Sequence, residues 1–205
     1  MCYNIYMKNY REFKELLEQI KKTNKKPNLL LHSCCAPCSS HVLTYLSEYF
    51  DITLLYYNPN IYPNNEYFNR VEEQKRLINA LDLGIKFIEG EYDHQEFLDL
   101  VKGYEDLEEK GYRCYLCYEM RIKYTFMKAK ELGFDYFTTT LSISPHKNSD
   151  WINEIGLKYE NEDTKFLYSN FKKEEGYKKS IILSKKYDLY RQDYCGCEFS
   201  QKMSK

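Results

Sequence analysis

The sequence predicts an α/β fold, a mostly parallel sheet with helices on both faces. Short apolar runs alternate with amphipathic stretches from residue 10 to residue 187, and strands that alternate with helices assemble as β-α-β units, which need a parallel sheet covered on both sides. No internal repeat, low-complexity segment or Pro/Ser-rich linker interrupts the alternation. Residues 1–205 are therefore expected to form one domain, with 1–27 as an N-terminal helical extension.

YREFKELLEQIKK (10–22) carries apolar residues at three- and four-residue steps, the mark of an amphipathic helix, and Pro27 ends it. NLLLHSC (28–34) is apolar enough for a buried strand, and CSSHVLTYLSEYF (38–50) follows with helical spacing. DITLLYYNPN (51–60) is a second strand closed by Asn-Pro, NEYFNRVEEQKRLINAL (65–81) a charged amphipathic helix stopping before Gly84, and IKFIEG (85–90) a third strand. HQEFLDLVKGYEDL carries breakers at Gly103 and, just beyond it, Gly111. CYLCYEMRIKYTFMKAKEL (114–132) is a long helix stopped at Gly133, and DYFTTTLS (135–142) is a fourth strand rich in β-formers. NSDWINEIGLKYE (148–160), a strand TKFLY (164–168) and YKKSIILSKKY (177–187) continue the pattern.

Composition removes several classes of function. No apolar run approaches the roughly 20 residues that cross a bilayer, and MCYNIYMKNYREFKE lacks the apolar core of a secretory signal. The expectation is a cytoplasmic protein with no membrane partner. The 22 tyrosines accompany many Lys, Asn and Ile residues and point to A·T-rich coding, so single tyrosines carry little weight. A net charge of -1 gives no global pull on a polyanion. Lysines cluster locally, at 21, 22, 25 and 26 and again at 172, 173, 178, 179, 185 and 186, and the ordinary reading of each run is a solvated helix face.

Cysteine is the abnormal count. Eight in a reduced intracellular chain point to metal ligation or redox chemistry. With Cys2 set aside as an inert terminal thiol, the other seven form three tight groups: Cys34, Cys35 and Cys38; Cys114 and Cys117; Cys195 and Cys197. The first lies between a strand and its helix, at the carboxyl edge where sites form in an open parallel sheet and where a positive helix end favours thiolates. A structural zinc site takes four ligands, often two Cys-x-x-Cys pairs about fifteen to twenty residues apart, whereas the gaps here are roughly eighty residues. An iron-sulfur cluster takes four thiolates and tolerates wide separation. The three surplus thiols would suit a second metal with an open position. A thioredoxin-like dithiol at Cys114 and Cys117 leaves five cysteines unexplained.

LLLHSCCAPC, YNPNIYP, YRCYLCYEMR, FTTTLSISPHKN and LYRQDYCGC together resemble the cobalamin-independent epoxyqueuosine reductase family, QueH, over most of the chain from about Asn28 to Ser200. The resemblance implies a metalloenzyme with a 4Fe-4S cluster beside one mononuclear iron, reducing epoxyqueuosine to queuosine in the tRNA anticodon loop. It places the metal ligands on Cys34, Cys35, Cys38, Cys114, Cys117, Cys195 and Cys197, with the cluster on Cys35, Cys114, Cys117 and Cys197 and the lone iron on Cys34, Cys38 and Cys195. Cys38 stands where the family's first block commonly has Asp, which softens that ligand set. The strand-HSCCAPCSS-helix unit also resembles the phosphate-loop position of the Rossmann-like, adenine-nucleotide-hydrolase-like folds, without the glycines a phosphate loop needs.

Deoxygenating an epoxide to an alkene needs two electrons and protons. No flavin or nicotinamide fingerprint appears, so the implied reductant is external, a ferredoxin- or flavodoxin-like protein. Candidate proton donors are Tyr115, Tyr118, Tyr194, His32 and His146, with Tyr115 named as a catalytic candidate; for His32 a core histidine bonding a backbone carbonyl is the alternative. Arg113, Arg121 and Arg191 sit beside the cysteine blocks as ion-pair or phosphate partners, Thr138 to Thr140 could hydrogen-bond sulfur, and Asn58 to Asn60 form a loop on the same edge. Lys172, Lys173, Lys178 and Lys179 are the candidate phosphate contacts. Two other classes compete, a binding module with a structural zinc or iron-sulfur site and a nucleotide-dependent transferase; metal content separates them.

Overall fold

Asn28–His32 forms β1, the middle strand of a five-stranded sheet. The computed structural model of the protein describes residues 9–23, 25–192 and 194–203. β2 (Asp51–Tyr56), β3 (Lys86–Glu89), β4 (Tyr136–Thr139) and β5 (Lys165–Phe166) complete a sheet of order β3-β2-β1-β4-β5 in which every pair is parallel. α1 (Tyr10–Thr23) precedes the sheet; α2 (Ala36–Leu46), α3 (Asn64–Leu81), α4 (His94–Leu100), α5 (Tyr112–Leu132) and α6 (Ser149–Tyr159) run between its strands, and α7 (Gly176–Lys186) and α8 (Glu198–Met203) follow it. This is the Rossmann-like class expected from the alternation.

The two-residue period of a strand divides the core. Leu29 and Leu31 of β1, with Ile52 and Leu54 of β2, pack on α1, α2 and α3, whereas Leu30, Leu55 and Phe137 face α5 and α6. The helix at the amino end contributes Phe13, Leu16, Leu17 and Ile20 to the first of these cores.

Chain order reverses at β1, whose neighbours are β2 and β4. A crevice opens at such a point beyond the carboxyl ends of the strands.

Several boundaries differ from the sequence expectation, each for a local reason. The strand expected over 135–142 stops at Thr139, because the Thr139 hydroxyl accepts from the Leu141 amide and turns Thr140–Ile143 into a 3-10 turn. The strand expected over 51–60 ends at Tyr56, and Asn58 instead donates its side-chain amide to the Ser33 carbonyl at 2.8 Å. α4 is capped by Asp93, whose carboxylate accepts from the Gln95 amide at 2.9 Å. No periodicity announced α8.

Candidate metal centre

The turn between β1 and α2 is fastened before any thiol is considered. The Ser33 amide donates to the Leu55 carbonyl, and the hydroxyls of Ser33 and Ser39 both donate to the Gln74 side-chain oxygen on α3, at 2.7 and 2.8 Å. Cys35 is the extended N-cap of α2 and Pro37 occupies its first turn, where a missing N–H costs nothing. Cys34, Cys35 and Cys38 are thereby held with their sulfurs all within 4.8 Å of one another, the one such group of three among the described residues. Cys34 and Cys35 are 3.9 Å apart. Three thiols this close cannot all ionise. Cys35 is held well below the usual thiol range by hydrogen bonds from Cys34 and Cys38 with Arg70 nearby, and Cys38 is pushed well above it.

Cys114 and Cys117 lie in the first two turns of α5. Cys195 and Cys197 flank Gly196, whose φ of +107° is accessible to glycine at no steric penalty. A Cβ there would come 2.9 Å from the Arg70 guanidinium. Cys117 and Cys197 share an apolar cluster with Phe97, Val101 and Phe199. Burial pushes the Cys117 thiol up to about 12. Burial also opposes ionisation of Cys195, but Lys147 and Arg121 outweigh it and hold that thiol below its usual value. The Lys147 ammonium donates to the Cys195 sulfur at 3.2 Å.

Cys34, Cys35, Cys38 and Cys195 line one cavity of about 370 Å³, while Cys114, Cys117 and Cys197 lie outside its lining. Arg70, Arg121, Lys147, Glu109 and Tyr194 form much of the remaining wall. Two features fit this cavity to a soft metal or iron-sulfur group. Its donors are thiols, which select such groups over hard cations. Arg70 and Arg121 are each 2% exposed, yet each has a buried Nη2 with no partner, and buried donors normally find acceptors.

Other expected residues divide between cavity and framework. His32 is fully buried, with Nε2 donating to the Tyr57 carbonyl at 3.0 Å and Nδ1 bonded to the Thr139 hydroxyl at 2.8 Å. Burial and Arg121 lower its pKa to about 4, so it is a neutral framework residue, the alternative raised from the sequence. Tyr194 and the exposed His146 line the cavity. Tyr115 lies outside its lining and donates to Glu154 at 3.3 Å, and Tyr118 is buried beneath the Lys147 ammonium, 5.7 Å from its ring centroid. Arg113 binds backbone rather than phosphate: its Nη1 donates to the carbonyls of Tyr104, Glu105 and Leu107. Thr140 alone of the threonine run reaches sulfur, 3.6 Å from Cys34, since Thr138 donates to the Leu167 carbonyl. Asn58, Asn60 and Arg191 line the cavity.

Lys172 donates to the Lys147 carbonyl at 2.9 Å and so stands near the rim, whereas Lys178 pairs with Glu175. Lys25 and Lys26 lie just before the start of β1, at the opposite edge of the sheet. Cys2 lies outside the described residues.

Sequence reasoning did not single out Arg70, Lys147 and Glu109 as site residues. Arg70 reads as an ordinary i,i+4 partner of Glu66, 2.6 Å away. Lys147 stood inside FTTTLSISPHKN, beside the His146 that drew attention.

The family model described as Epoxyqueuosine reductase QueH matches residues 29–203. Proteins named Epoxyqueuosine reductase QueH are similar over nearly the whole chain. The one from Streptococcus pyogenes serotype M1 is 40% identical over 201 residues, covering 95% of this chain and 79% of the relative. That from Staphylococcus epidermidis is 39% identical, covering 94% and 84%, and that from Thermotoga maritima is 38% identical, covering 84% and 89%.

Proposed function

Because the chain belongs to the epoxyqueuosine reductase QueH family, we propose that its seven grouped cysteines hold a 4Fe-4S cluster beside one iron, and that the thiol-lined cavity bordering them is where epoxyqueuosine in tRNA is deoxygenated. The chain is an oxidoreductase of queuosine biosynthesis. The reaction takes the epoxide, two electrons and two protons to an alkene and water. The observation that carries the site assignment is the convergence of Cys34, Cys35, Cys38 and Cys195 on one cavity at the carboxyl edge of the sheet.

All seven grouped cysteines serve as ligands in this reading. Cys34, Cys38 and Cys195, assigned to the single iron, all face the cavity, and Cys114, Cys117 and Cys197 of the cluster set lie outside its lining; Cys35, 2% exposed, supplies the fourth cluster thiolate. When bound, the metals supply electrons one at a time and a Lewis acid for the epoxide oxygen.

The protein's own groups do the rest. Lys147 holds Cys195 toward its thiolate form, and Arg70 does the same for Cys35. Tyr194, whose side chain lines the cavity, is the proton donor in this reading, because Tyr115 lies outside the lining. Its ring sits 5.3 Å from the Arg70 guanidinium carbon. A base in a single-stranded loop must be splayed out to reach such a cavity, and Arg191 with Tyr177, 3.0 Å apart at the wall, offer it planar surfaces. The electrons come from a ferredoxin- or flavodoxin-like donor. A tRNA substrate implies a cytoplasmic enzyme.

The test is to incubate iron-reconstituted protein and a low-potential reductant with epoxyqueuosine-containing tRNA, digest the RNA, and weigh the nucleoside. Loss of one oxygen atom is expected; an unchanged mass with metals intact rejects the assignment.

A further inference from the structure

We infer that Arg121 is a positioning residue for the metal group, donating its free guanidinium N–H to sulfur and raising the group's reduction potential. The inference rests on the reading that the grouped cysteines around the cavity hold a redox-active iron-sulfur group.

Four observations converge on Arg121. It is 2% exposed. Its Nε donates to the Cys117 carbonyl at 3.1 Å and its Nη1 to the Asn58 side-chain oxygen at 3.4 Å, both neutral acceptors. Its Nη2 has no partner and its side chain lines the cavity. Among the described residues no carboxylate lies within ion-pair distance of it. Arg70, the other buried guanidinium of the cavity, is instead neutralised by Glu66 at 2.6 Å.

A buried charge is tolerated only when something of opposite sign compensates it. The groups whose negative charge would stabilise the Arg121 guanidinium are the sulfurs of Cys117, Cys195 and Cys34, followed by the Tyr118 oxygen. These sulfurs come from all three cysteine groups, so Arg121, like Lys147, is a cation shared among them. Helix geometry delivers it there, because Arg121 follows Cys117 by four residues and Cys114 by seven, the spacing that stacks side chains on one helix face. Hydrogen bonds to sulfur and local charge set the potential of iron-sulfur groups. Reduction adds an electron beside the guanidinium, so its positive charge favours the reduced state.

The test uses the reconstituted full chain and three proteins, the wild type, Arg121→Gln and Arg121→Lys. Iron content, tRNA affinity and the midpoint potential by spectroscopic redox titration are measured for each. In Arg121→Gln the reduced-to-oxidised ratio at a fixed potential should fall at least about tenfold, the scale of one lost charge-assisted hydrogen bond, or about 59 mV for a one-electron couple. tRNA affinity should be unchanged, and Arg121→Lys should recover most of the shift. Should Arg121→Gln fail to retain iron while Arg121→Lys retains it at the wild-type potential, the inference is likewise supported. Equal potentials in the wild type and Arg121→Gln overturn it. So does a fall in tRNA affinity with the potential unmoved, which would make Arg121 a substrate contact. Wild-type protein that holds no redox-active iron overturns the metal reading itself, and metal analysis of the wild type alone distinguishes that failure from the others.

Discussion

Arg113→Met should loosen the loop that carries Glu109 to the cavity. Arg113 is 1% exposed and grips the loop through Nη1 alone, donating to the carbonyls of Tyr104, Glu105 and Leu107, the Glu105 bond being 2.6 Å. Its guanidinium carbon also lies 4.9 Å from the centroid of Phe199. Methionine keeps an apolar stem of similar length against Phe199 and removes every donor. A hydrogen bond from a charged group is worth about 1.5–3 kcal/mol, and a cation over an aromatic face adds about 0.5–2 kcal/mol. These contributions overlap, so the expected local loss is about 3 kcal/mol, and the population of the opened loop rises about a hundredfold. Hydrogen exchange read by mass spectrometry on metal-free protein checks this, with amides 102–111 exchanging about a hundredfold faster and those of β1 much less affected. The Cys114 sulfur accepts from the Lys110 amide at 3.4 Å, so its alkylation should accelerate in parallel. Loop protection within a factor of about three of wild type would refute the claim that Arg113 holds this loop, since a local loss near 3 kcal/mol cannot be hidden in that ratio.

Gly176→Ala should destabilise the protein by about 1–3 kcal/mol in urea unfolding, because the added Cβ would overlap the Phe171 carbonyl oxygen; it should also raise the KM for tRNA by moving Tyr177 at the cavity wall. Single Cys→Ala changes should sort by absorption and turnover: Cys114, Cys117 and Cys197 lose the visible cluster band, whereas Cys34, Cys38 and Cys195 keep it and lose turnover, and uniform behaviour across all six would reject the two-metal division. Binding of tRNA should weaken steeply with salt through counterion release, and Lys178→Glu with Lys179→Glu should lower the salt slope without changing iron content. In metal-free protein, His32 is held from the usual 6.5 down to about 4. The unfolded chain then takes up a proton before the folded one does, so stability is full above about pH 6.5, falls by on the order of 3 kcal/mol down to about pH 4, and is flat in this contribution below that. Urea midpoints for wild type and His32→Gln should therefore converge in acid.

Local signals were sufficient where one short segment settles its own state. The alternation of strand and helix and the class of the sheet are visible in the periodicity from residue 10 to residue 187, and the seven grouped thiols in LLLHSCCAPC, YRCYLCYEMR and LYRQDYCGC, because side-chain periodicity and ligand chemistry are written residue by residue. Short elements were less legible: the strand expected over 164–168 is only Lys165–Phe166, and the one expected over 135–142 gives way to a 3-10 turn after Thr139, where a single hydroxyl redirects the backbone. Tertiary structure alone decided which charged groups surround the sulfurs. Arg113, Arg121 and Arg191 look alike in sequence, yet one holds backbone, one is buried in the cavity wall without an acid and one stands exposed at its tyrosine. Arg70 and Lys147 join them from α3 and from the loop after β4. Charge compensation in a buried site depends on distance and desolvation across the fold, and neither quantity exists until the chain has folded.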